Sequence, residues 1–277
     1  MIKDILINLS VGGGKDATGD FALSVASAFD AHATGIAFEY RFEVPGTIIG
    51  ASALTSVIEA QRRETEKAAG DAIAKFEETA RRNGVAIETR KLESNLAGAA
   101  EIFGELARTY DLAIVRQAEP DKPGPEELLA EGALFGAGRP VLMVPYIQKA
   151  GLKLDHVTVC WDGSRSAARA IGDALPFLRK ARKIELLMVQ PKEGSRREIA
   201  GVDMAQHLAR HGLKVELERT TVPDVKVAEA ILSHIADRSS DMLVMGGYGH
   251  SRLREFVLGG VTREMMESMT VPVLMSH

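Results

Sequence analysis

Asp4-Ile5-Leu6-Ile7-Asn8-Leu9-Ser10 is a short apolar run followed by Gly/Ser punctuation and an Ala-rich helical stretch. His156-Val157-Thr158-Val159-Cys160-Trp161-Asp162 opens the same pattern again. Two further segments recur in the same order. Tyr110-Asp111-Leu112-Ala113-Ile114-Val115 matches Ser240-Asp241-Met242-Leu243-Val244-Met245, and Pro140-Val141-Leu142-Met143-Val144 matches Pro272-Val273-Leu274-Met275-Ser276. The chain thus reads as one unit written twice. Ser10 lies 101 positions before Asp111 and Asp162 lies 79 before Asp241, so the first copy holds 22 extra residues, around Arg41 to Gln61.

Short apolar runs near 4–9, 33–38, 85–91, 111–115 and 141–145, then 156–161, 184–189, 214–219, 241–245 and 272–275, alternate with helical stretches. That alternation implies right-handed βαβ crossovers and parallel strands covered on both faces. The expected fold class is α/β, as two tandem five-stranded parallel-sheet sandwiches of Rossmann-like kind with one core each. The boundaries fall at 1–148 and 154–277, and the linker runs from Ile147 to Lys153. The two final strands, Pro140 to Val144 and Pro272 to Ser276, are apolar edges that invite pairing with each other as a pseudo-dimer. After the extra residues, Leu54, Ile58, Ala69, Ala72, Ile73 and Phe76 recur at helical spacing before Asn83-Gly84, which predicts an amphipathic helix packed inward.

At 277 residues, with 45% apolar and 26% charged residues, the chain has the composition of a globular protein of about two domains. Its 34 basic and 38 acidic residues are interspersed, so neither nucleic acid nor a membrane surface is indicated as a partner. Cys160 is the only cysteine, which excludes an intrachain disulfide and a cysteine metal cage. Charge within the first apolar run argues against a signal peptide, and a cytoplasmic location is the expectation.

Met245-Gly246-Gly247-Tyr248-Gly249-His250-Ser251 follows a predicted strand, and Gly259-Gly260-Val261-Thr262 opens a predicted helix to about Ser268. Gly246 and Gly249 allow a tight turn and close approach to a ligand, and Gly259 and Gly260 sit where helix N-terminal amides face an anion. The reading is a phosphate cradle. In an open parallel sheet such a site lies beyond the carboxyl ends of the strands, at the topological switch point.

This spacing resembles the ATP-binding signature of the universal stress protein family, and the strand-helix order and the Pro-Val-Leu final strands extend the resemblance over nearly the whole chain. It implies a cytoplasmic stress-response module that binds ATP or another adenine nucleotide in its second half, with Mg2+ as an optional companion, and that forms a homodimer and engages a protein partner. The implied nucleotide-binding residues are Asp162 and Gly163 in Trp161-Asp162-Gly163-Ser164, Val189 at the end of the second strand, then Met245, Gly246, Gly249, His250, Gly259, Gly260, Val261 and Thr262. Gly260 departs from the family, which has Ser or Thr there. Asp162 also reads as a residue that organises the turn and caps the next helix.

In the first copy Ser10 stands for the strand-end Asp, and Arg116-Gln117-Ala118-Glu119-Pro120 replaces the glycine loop, so that copy reads as degenerate. Gly12-Gly13-Gly14-Lys15 fails the P-loop pattern at Leu9 and Asp16 and reads as a turn. His207 and His211 share a helical spacing but lack the Glu and third ligand of a zinc site. Cys160 reads as a buried small apolar side chain. The apolar stretch from Phe42 to Gly50 suits a lid, a partner surface or, most plainly, packing on the first core. No catalytic constellation emerges. Phosphoryl transfer needs a metal carboxylate and a cationic clamp, for which Asp162, Arg252 and Arg254 are the candidates. A binding module is therefore expected over an enzyme, with slow ATP hydrolysis left open. The alternative is a dimeric interaction scaffold that binds no nucleotide.

Overall fold

A computed structural model describes residues 1–11, 17–41, 51–120, 122, 124–190, 201–221, 225–247 and 260–277. The strands are β1 (Asp4–Asn8), β2 (His32–Tyr40), β3 (Ile87–Ser94), β4 (Leu112–Arg116), β5 (Val141–Val144), β6 (His156–Cys160), β7 (Lys183–Gln190), β8 (Val215–Thr221), β9 (Met242–Gly246) and β10 (Val273–Ser276). The described helices are α1 (Ala17–Phe29), α2 (Ala51–Asn83), α3 (Leu96–Ala107), α4 (Glu126–Gly136), α5 (Arg165–Leu178), α6 (Gly201–Arg210), α7 (Val227–Asp237) and α8 (Gly260–Ser268). All ten strands lie within three residues of the expected runs at each end.

The strands form one sheet in the order β3-β2-β1-β4-β5-β10-β9-β6-β7-β8. Within each half the ladders are parallel, and the halves meet through one antiparallel pair, Val273↔Met143, Leu274↔Leu142 and Met275↔Val141. The expected pairing of the last strands is thus present, and it is the only antiparallel strand ladder among the described residues. The inner strands are mainly apolar because helices cover both faces, with Asn8, Thr34, His156, Thr158 and Glu185 as buried polar exceptions. The outer strands β3 (IETRKLES) and β8 (VELERTT) alternate in burial and carry charges, which discourages pairing with another chain's edge.

The cores differ from the expectation of one per half. Successive side chains of a strand point to opposite faces, so Ile5 and Ile7 join one apolar cluster and Leu6 the other. The first cluster lies under α1, α2, α5 and α6, and the second under α3, α4, α7 and α8. Each runs across both halves, because a continuous sheet divides apolar side chains by face.

Helix α2 also departs from its expectation. Ala69, Phe76 and Ala80 are buried, whereas Ile58 is 42% exposed. A helix of 33 residues spans about 50 Å and the adjacent β2, of nine residues, about 30 Å, so the sheet cannot cover its whole length. Residues 12–16 and 42–50, with the turn and packing readings made of them, lie outside the described residues.

Candidate functional site

Strand β6 connects outward to β7, and the chain returns after β8 to place β9 on the other side of β6. The crevice beyond the carboxyl ends of β6 and β9 is therefore a topological switch point. A cavity of about 190 Å³ occupies it. Leu187, Val189, Val227, Ile231, Met245 and Val261 give it apolar walls, and Asp162, Gly246, Gly260 and Thr262 supply polar edges. Helices α5, α7 and α8 all begin at this rim, so three positive helix ends face the same space. The volume is below the roughly 300–1,000 Å³ of typical ligand pockets and suits a flat ring better than a whole nucleotide.

Of the residues expected to bind nucleotide, Asp162, Val189, Met245, Gly246, Gly260, Val261 and Thr262 line this one cavity. Gly163 is beside it without lining it. Gly249, His250 and Gly259, like Arg252 and Arg254, lie outside the described residues. Cys160, Trp161, Ala167, Leu187, Val227 and Ile231 line the cavity and were not expected. Cys160 faces the cavity and is not a plain core residue. Burial, with the Asp162 carboxylate adding to it, pushes its thiol up to about 12, so it remains protonated and apolar.

Asp162 organises the turn, as its structural reading required: its Oδ1 accepts from the Ser164 backbone N–H at 2.9 Å. The cap, however, is Ser164, whose Oγ accepts from the Ala167 N–H at 3.1 Å. Gly163 between them has φ +75°, a conformation that favours glycine. The exposed Asp162 carboxylate retains further acceptor capacity at the cavity edge. Ser164→Ala removes the cap and is expected to cost about 1 kcal/mol in urea unfolding. A cost near zero would mean that the cap contributes nothing to α5.

Gly246 is small for a reason different from the one expected. A Cβ there would lie 2.5 Å from the Ala167 backbone N and 2.7 Å from Ser166. Close packing of β9 on the start of α5 requires this glycine, independently of any ligand. Gly260 is the opposite case, because a Cβ on it would meet nothing within 4 Å. Across the roof, Lys226 Nζ lies 2.6 Å from Glu264 Oε1, tying the start of α7 to α8.

Strand register shows what stands in the first half at the places that line the cavity in the second. Asn8 pairs with Ile36 as Cys160 pairs with Leu187, so Phe38 takes the place of Val189. Phe38 is fully buried. By the same register Arg116 stands where Gly246 stands, and Gln117 where Gly247 stands. The Arg116 guanidinium is paired with Glu119. Gln117, fully buried, donates to the Glu267 carbonyl at 3.0 Å and accepts from the Tyr146 N–H at 3.2 Å. Helices α3 and α4 also touch backbone to backbone: a Cβ on Gly132 would lie 2.4 Å from the Ala100 carbonyl oxygen, and one on Gly104 2.4 Å from that of Gly132. In their counterparts α7 and α8, Ile231, Met265 and Met266 are larger side chains buried in the same apolar cluster.

His207 and His211 stack edge to face at 4.8 Å, and no group of three or more metal-ligating side chains occurs among the described residues. Among them no helix is long and apolar enough to cross a membrane.

One sheet, helices on both faces and a crevice at the switch point define the class of doubly wound α/β proteins. Within that class, residues 153–277 match the model of the universal stress protein family. The universal stress protein Slr1230 of Synechocystis is 28% identical over 142 residues, 49% of this chain and 46% of that protein, so the match spans less than half of the relative's own length. A universal stress protein from Archaeoglobus fulgidus shares the fold at 17% identity and a TM-score of 0.70, covering 99% of this chain and 95% of that one. A Pseudomonas aeruginosa structure described as a universal stress protein does so at 16% identity and a TM-score of 0.63, covering 99% and 93%. Residues 153–277 thus match the universal stress protein family by sequence, and the whole chain shares its fold with these two solved structures.

Proposed function

We propose that the second half, residues 154–277, is a domain that binds one adenine nucleotide, and that the first, residues 1–148, is a structural or partner-binding copy. The observation that carries this reading is the switch-point cavity: its apolar walls suit a flat base, and Gly260, Val261 and Thr262 at the start of α8 line it where helix N-terminal amides favour an anion. Asp162 stands at the rim, where a carboxylate can accept from ribose hydroxyls. The family resemblance would assign Gly249, His250 and Gly259 to the phosphates. Mg2+ would arrive with the phosphates, which are its preferred ligands. The chain is then a regulatory module whose nucleotide state governs conformation or partner choice, acting in the cytoplasm.

Self-association of the whole chain would need a surface other than the last strands, because β5 and β10 already pair with each other. ATP or ADP identified by mass spectrometry after gentle purification and denaturation is the expected result, with equilibrium dialysis giving about one site per chain. Two sites of similar affinity would show the first half to be competent. No released nucleotide and no binding would overturn the reading in favour of a scaffold.

A further inference from the structure

The sheet face under the C-terminal end of α7 carries a buried polar cluster on a face whose core is mainly apolar. Glu185 of β7 is 1% exposed. His234 Nε2 lies 2.6 Å from its Oε2, His156 Nε2 lies 3.7 Å from the same oxygen, and Arg238 Nε lies 3.7 Å from Oε1. Two imidazoles on different elements thus converge on one carboxylate oxygen.

The hydrogens of this cluster can be counted. His156 Nδ1 is 3.1 Å from the Arg238 carbonyl oxygen. A carbonyl only accepts, so Nδ1 carries the hydrogen. In a neutral ring Nε2 is then a bare lone pair facing a carboxylate that is already bonded to His234. That atom is buried and has no hydrogen-bond partner. One added proton satisfies it, on Nε2 as a donor to Glu185 or on Glu185 as a donor to Nε2. At 3.7 Å the pair is longer than a hydrogen bond, so the added proton must also draw His156 Nε2 and Glu185 Oε2 together.

On β8, Glu216 is paired with Lys183 of β7 at 2.8 Å, and Glu218 is 3.6 Å from Arg238. Before β9, Asp241 accepts from the His156 backbone N–H at 2.9 Å, and the Thr158 and Ser240 hydroxyls pair with each other at 2.7 Å. Glu185, Glu216, Glu218 and Asp241 therefore face two fixed cations, Lys183 and Arg238. Histidine is the side chain that takes up protons between about pH 8 and about pH 5.

His234 and Arg238 hold the end of α7, and Val227 and Ile231 of the same helix line the cavity. We propose that His156, Glu185 and His234 form a proton-operated latch: one proton from solvent closes the His156–Glu185 contact and fixes α7, and with it one wall of the cavity. No other bond changes.

Hydrogen exchange of the α7 amides in the full-length, ligand-free chain tests the latch. After correction for intrinsic chemical rates, exchange is expected to be about tenfold slower at about pH 5.5 than at about pH 7.5. Helix α3 of the first half should show no such difference. Glu185→Gln offers His156 an amide N–H at any pH, so α7 should exchange slowly at both. His156→Phe removes the ring that the latch requires and should make exchange fast at both. Absence of the pH difference in the wild-type chain, or its survival in either variant that folds, would overturn the latch. No nucleotide is involved, so this outcome is independent of the binding reading.

Discussion

Gly260→Glu is expected to abolish nucleotide binding while leaving the chain folded. A Cβ there meets nothing within 4 Å among the described residues, so α8 has no packing contact at this position for the substitution to break. A carboxylate in the first turn of α8 also complements the helix dipole, which keeps the helix at least as stable. The same carboxylate lies where phosphate oxygens would approach the α8 amides and repels them. Losing one charge-assisted contact and adding one repulsion should weaken ATP by about 100-fold or more in titration calorimetry. A folded variant with unchanged affinity would place the ligand elsewhere.

A second large effect is expected in the first half. Gly132→Leu should lower stability by about 3 kcal/mol or more in urea unfolding, because its Cβ would stand 2.4 Å from the backbone oxygen of Ala100. The obstacle is main chain, which cannot rotate away, so α3 and α4 must separate over the apolar face they cover. Gly172→Ala in α5 is the control. Nothing lies within 4 Å of that position, and Ala there should stabilise by about 0.5–1 kcal/mol. If Gly132→Leu proved as mild as a surface substitution, α3 and α4 would not be locked by their glycines.

The contrast between these two glycines shows what could be read in the sequence and what could not. Strands such as Leu112–Arg116 and Met242–Gly246 were legible because a strand covered on both faces is an unbroken apolar run. The seam was legible because Pro-Val-Leu-Met repeats at both unit ends. The role of Gly246 was not, because the atoms that exclude a Cβ belong to Ser166 and Ala167, far away in the chain. Phe38 as the occupant of the Val189 place needed the strand register. The outward reach of α2 at Ile58 needed the length of its neighbour. Glu185 did leave a signal, as a charged residue inside Ile184-Glu185-Leu186-Leu187. Its partners His156 and His234 come from separate elements, so the sequence could not name them.

The antiparallel pairing of Val141–Val144 with Val273–Ser276 joins two edges that in separate chains would meet by diffusion. Here residues 145–155 tether them, and Leu152 of that tether is itself anchored, its N–H donating to Ser24 Oγ at 2.7 Å. A short tether sets an effective concentration on the order of millimolar. The two halves therefore stay joined at dilutions that would dissociate a weak pair of separate chains, and neither half exchanges its partner for another copy. Mass action, which makes a dimer's population depend on how much protein is present, does not act on this seam. Any response to nucleotide or proton in the second half is consequently delivered to the same first half every time, at any abundance of the chain.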